Sequence, residues 1–104
     1  MEQLLSEILS KTKLARRIKT SAFDTELTDL IKSAISVLET RGLDVIVTTE
    51  SNGDTTYSVE PMVLQAIITY VGLHFGQPDD YERLKESWET QLGQLMTTTG
   101  YTRW

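Results

Sequence analysis

Gln65-Ala66-Ile67-Ile68-Thr69-Tyr70-Val71-Gly72-Leu73-His74-Phe75-Gly76-Gln77-Pro78-Asp79-Asp80-Tyr81-Glu82-Arg83-Leu84 holds the end of one helix, a joint and the start of another. The first helix is predicted over about residues 61–75, with Pro61 at a tolerated first-turn position. Val63, Leu64, Ala66, Ile67, Ile68, Tyr70, Val71 and Phe75 make it apolar nearly all round, so it is buried on more than one side. It is either the central helix of a bundle or packed on another subunit. Gly72 inside it costs about 1 kcal/mol relative to alanine, which a close helix–helix approach would explain. Gly76 ends this helix and Pro78 opens the next, the usual asymmetry of helix stops and starts. So short a joint makes the two helices antiparallel or sharply angled neighbours.

The helix after the joint covers about residues 78–96. Tyr81, Leu84, Trp88, Leu92 and Leu95 form its stripe, and Asp79 and Asp80 suit its first turn. A tail over 97–104 follows, with two aromatics and an arginine, residue types favoured as interface anchors. Upstream, β-branched residues flank Ser51-Asn52-Gly53-Asp54. Asn-Gly between strand formers is a strong hairpin signal, so two short strands are expected, about 44–50 and 55–59. This hairpin reads either as a tolerated excursion or as an arm that contacts a neighbouring subunit, since open strand edges invite pairing.

Helix two, about 25–41, has the cleanest periodicity: Leu27, Leu30, Ile31, Ala34, Ile35 and Leu38. Asp24 is the expected N-cap after a turn at Thr20–Asp24, and Gly42 the stop. Helix one, about 2–18, has an imperfect face of Leu4, Leu5, Ile8, Ala15 and Ile18, with Leu14 beside it. Its end carries Lys11, Lys13, Arg16, Arg17 and Lys19 without an acid. These cations complement the helix dipole, or they form a patch for nucleic acid or an acidic partner. The fold class is therefore mainly α: a small bundle of four helices with a short β-hairpin inserted between helices two and three.

At 104 residues, 39% of them hydrophobic, the chain is expected to form one domain with one modest core. No apolar run is long enough to span a bilayer. The first residues lack a basic region and a cleavage site, so no secretory signal is expected. The absence of cysteine excludes disulfides and thiolate chemistry and fits a cytoplasmic product. A net charge of −5 argues against sequence-specific nucleic-acid binding.

No catalytic constellation emerges. His74 is the single histidine, on a mostly apolar helix, and reads as a partly buried structural residue. With Asp79 and Asp80 it offers too few ligands for a metal. No motif supports a serine nucleophile with His74 as base, and Gly42, Gly53 and Gly76 form no phosphate loop.

The chain resembles the head–tail connector family of tailed bacteriophages and prophages. The likeness lies in Ala66–Val71, in His74-Phe75-Gly76-Gln77-Pro78-Asp79-Asp80-Tyr81-Glu82-Arg83-Leu84, and in Leu95-Met96-Thr97-Thr98-Thr99-Gly100-Tyr101-Thr102. A fainter likeness runs through Asp24-Thr25-Glu26-Leu27 and Asp29-Leu30-Ile31. The resemblance implies a non-enzymatic protein without cofactor, made in the bacterial cytoplasm and placed at the virion head–tail junction. It implies a homo-oligomeric ring, dodecameric on the portal protein, that extends the DNA channel and receives the next neck protein. DNA passes through the lumen without sequence-specific binding, and no membrane is involved. Portal docking falls on Thr99, Gly100, Tyr101, Arg103 and Trp104. Val45, Val47, Tyr57, Ile68 and Phe75 are the candidate subunit-interface residues. The competing reading is a small DNA-binding regulator that uses Lys11, Lys13, Arg16, Arg17 and Lys19; an enzyme relying on His74 is a third.

Overall fold

The computed structural model describes residues 2–75 and 81–97. Its elements are α1 (Glu2–Arg16), α2 (Asp24–Thr40), β1 (Val47–Ser51), β2 (Asp54–Ser58), α3 (Pro61–His74) and α4 (Tyr81–Thr97). The architecture is mainly α, with the antiparallel hairpin β1–β2 between α2 and α3.

α3 is the central helix. It packs against α1, α2 and α4, and its residues Val63, Ala66, Ile67 and Val71 have no exposed surface. Its all-round apolar character is therefore met inside the chain. Opposite it, the α2 stripe buries Leu27, Ile31, Ala34, Ile35 and Leu38. α2 ends in a Schellman motif. Gly42 takes φ 86°, its N–H donates to the Glu39 carbonyl at 2.9 Å, and the Leu43 N–H donates to the Leu38 carbonyl at 3.2 Å. Leu38 and Leu43, which flank the motif, are both fully buried.

α1 ends two residues earlier than the apolar pattern suggests. Arg17 adopts φ 59°, a left-handed conformation that costs a non-glycine residue roughly 1 kcal/mol. The same motif closes there: Arg17 N–H to the Leu14 carbonyl, 3.3 Å, and Ile18 N–H to the Lys13 carbonyl, 2.8 Å. Ile18 thus packs against the core from outside the helix. The buried face of α1 is Leu4, Ile8 and Thr12, whereas Ala15 is exposed. Thr12 joins this face because its hydroxyl donates to the Ile8 carbonyl at 2.8 Å, which satisfies its one polar group locally.

Asp24 is not the cap of α2. Phe23 occupies that position without a side-chain bond, and Asp24 is the first helical residue. Its carboxylate instead pairs with Lys13 Nζ at 2.8 Å and so ties the start of α2 to the end of α1. The close approach expected at Gly72 is made by a side chain. A Cβ on Gly72 would stand 3.0 Å from Arg16 Nε.

The first strand starts at Val47 rather than near residue 44. Leu43 and Val45 alternate inward and are buried at 0% and 1% exposure, so this segment is an extended strap on the core. Beyond Val47 the hairpin leaves the body. Asn52 and Gly53 both have positive φ, 53° and 84°, as a two-residue type I′ turn requires. The register runs from Val47 opposite Ser58 to Ser51 opposite Asp54. Every residue of the arm except the half-buried Val47 is exposed.

α3 ends at His74, with Phe75 extended as its cap. The expected stop at Gly76 and start at Pro78 lie outside the described residues. α4 lies against α3 through Leu84 and Leu95, with Trp88 edge-on to Tyr70 at 5.3 Å between ring centroids.

Candidate partner-binding site

The hairpin is the most exposed element, and its two candidate contact residues do not share a face. Val47 is opposite Ser58 while Tyr57 is opposite Thr48. Successive strand residues alternate sides, so Val47 and Tyr57 look in opposite directions. β2 overlooks α1. Gln3, Leu4 and Glu7 face Thr55, Thr56 and Tyr57 across a shallow groove. Further along α1 the groove is bounded by Ile8 and Lys11 with Ser58 and Val59.

Three other interface candidates serve the chain's own fold. Val45 is 1% exposed and sits in the core. Ile68 is buried on α3. Phe75 is half-buried, with its ring edge-on to Phe23 at 5.4 Å. These three side chains are engaged within the chain itself, whereas Tyr57 is exposed and Val47 half-buried.

The five cations of α1 and its end divide in the same way. Lys13 is half-buried and paired with Asp24, and Arg16 is half-buried over Gly72. Lys11, Arg17 and Lys19 are exposed. Among them stands Leu14, 82% exposed, the most exposed large apolar side chain among the described residues.

A second concavity, of about 510 Å³, lies along α4. Arg41, Leu73, Tyr81, Lys85, Trp88 and Met96 are among its walls. The stripe of α4 concealed it, because Tyr81 and Met96, at 45% and 38% exposure, lie on the edge of that stripe rather than under α3. His74 is exposed rather than partly buried, because it stands in the last turn of α3, with its ring 4.3 Å from that of Tyr70. Among the described residues no group of three or more His, Cys, Asp or Glu side chains could hold a metal. No helix there is long and apolar enough to cross a membrane. Thr99, Gly100, Tyr101, Arg103 and Trp104 lie outside the described residues.

The profile of the phage connector protein family matches residues 8–102, nearly the whole chain, and the chain belongs to that family. The match runs through all of α2, the hairpin, α3 and α4 and into the tail. No curated protein and no solved structure matches the chain. Connector proteins are structural components of the phage neck, and membership implies contact with other phage head and tail proteins.

Proposed function

We propose that the chain forms a homo-oligomeric ring beneath the portal of a filled head, extends the DNA channel and offers its far side to the next neck protein. The ring takes twelve copies when it assembles on the portal, the number the family resemblance implies. The family match across residues 8–102 carries this reading. The net charge of −5 supports it, because an acidic lumen repels the DNA phosphates and lets the duplex slide. The exposed arm supports it as well, since a two-stranded hairpin whose residues are nearly all exposed gains little from its own fold. Portal docking falls to Thr99, Gly100, Tyr101, Arg103 and Trp104, where two aromatics and an arginine supply the usual anchors of an interface.

A chain ending at Met96 tests the docking residues. It is expected to keep the helical spectrum of the full chain and to lose cosedimentation with the portal protein of the same genome by about a hundredfold, near 2.7 kcal/mol. Equal cosedimentation of the two chains would remove the tail from the docking surface. The regulator reading is weakened by the engagement of Lys13 and Arg16 within the fold.

A further inference from the structure

We propose that the hairpin tip of one copy, carrying Glu50 and Asp54, docks on the basic end of α1 in the next copy, around Leu14, Arg17 and Lys19. This rests on the ring reading and deepens it by naming the contact between neighbours.

The charge distribution argues for it first. From Lys11 to Lys19 there are five basic residues and no acid. Between Gly42 and Glu82 there is no lysine or arginine, and the hairpin holds Glu50 and Asp54 beside its turn. Glu50 and Asp54 lie on opposite faces of the arm but both at its tip, and this tip and the basic end are exposed and opposite in sign. Leu14 adds an apolar centre to the basic one.

Geometry argues next. β2 runs alongside α1 across a shallow groove, lined near the helix start by Gln3, Leu4 and Glu7 with Thr55–Tyr57, and further along by Ile8 and Lys11 with Ser58 and Val59. The arm's base is therefore level with the middle of α1 and its tip points toward the helix N-terminus. The basic end lies the other way. From Leu4 to Arg17 the axis advances about 20 Å at 1.5 Å per residue. The acidic tip cannot reach its own chain's basic end, so the pairing of the two patches is between copies. Two different patches at opposite ends of one molecule make a heterologous contact, the kind that propagates from copy to copy and closes into a ring when the rotation between copies divides the full turn.

The test is charge reversal in the full chain, read as ring formed on the portal by electron microscopy and cosedimentation. R17E with K19E, and separately E50K with D54K, are each expected to reduce the assembled ring at least about tenfold, since like charges brought together at an interface cost several times the thermal energy. The four substitutions together restore attraction with its sign inverted and are expected to recover most of the ring. Wild-type assembly by either pair, or no recovery in the combined variant, overturns the proposal. So does loss in R17E with K19E alone, which would assign the basic end to the portal or to duplex DNA; duplex binding at low salt separates those two. Because charge swaps can disturb folding, a second variant removes that ambiguity. The chain has no cysteine, so L14C with N52C introduces the only thiols. Oxidation is expected to give a ladder of covalent oligomers; closed dimers or uncrosslinked chain overturn the contact. If the wild-type chain forms no ring on the portal, the ring reading falls, and the cysteine ladder still decides the contact between free copies.

Discussion

Ile67→Ala is expected to lower the unfolding free energy by about 3–4 kcal/mol. Ile67 has no exposed surface and lies on α3, the helix that the other three surround. Removing its side chain forfeits the transfer energy of three carbons and leaves a cavity that three packed helices cannot jointly close. A domain of this size has roughly 5–15 kcal/mol in total, so a large share is lost and the melting temperature falls by about 15 °C. Tyr57→Ala deletes more atoms, but from a side chain 42% exposed on the arm, and is expected to change stability by no more than about 0.5 kcal/mol. Thermal and urea unfolding measure both. A loss below about 1 kcal/mol for Ile67→Ala would mean that α3 is not the centre of the packing.

Val45→Asp and Val47→Asp are expected to differ sharply although the residues are two apart. Val45 is 1% exposed in the strap that follows α2. A carboxylate there has to be desolvated without a partner or protonated, at a cost of about 4 kcal/mol or more, enough to leave much of the chain unfolded. Val47 is half-buried where the arm leaves the body, and an aspartate there turns toward water at a cost of about 1 kcal/mol. Circular dichroism and denaturant titration of the two variants decide. Equal losses would show that the arm is as much a part of the core as the strap.

That contrast marks how far the sequence could be read. The α2 stripe and the Asn52-Gly53 turn were legible because each is a local pattern with a local cause, helical period in one and positive φ in the other. The start of the hairpin was not. Leu43-Asp44-Val45-Ile46-Val47 has strand composition throughout, and only the core beneath it separates strap from arm. The end of α1 was missed because Arg17 accepts a left-handed backbone that composition assigns to glycine, while Ile18 reaches the core from beyond the helix. Thr12 was passed over because its hydroxyl is satisfied by its own helix.

The candidate site was legible in part. The density of cations near the end of α1 could be counted, but their division could not. The Lys13–Asp24 pair joins residues eleven apart across a turn, and Arg16 rests on a glycine far along the chain. What remains exposed, Lys11, Arg17 and Lys19 together with Leu14, is a smaller set than the five cations the sequence offers. The opposition of that patch to the acidic arm depends on the direction in which β2 runs along α1, which no local pattern encodes.

The central claim, that this connector protein builds a ring on the portal, is tested most directly by imaging. Portal protein of the same genome is viewed by electron microscopy alone and after incubation with the full-length chain. The expected result is an added collar, coaxial with the portal and open along its axis, with one chain per portal subunit. A portal unchanged at saturating chain, or a chain found on DNA and not on the portal, would contradict it.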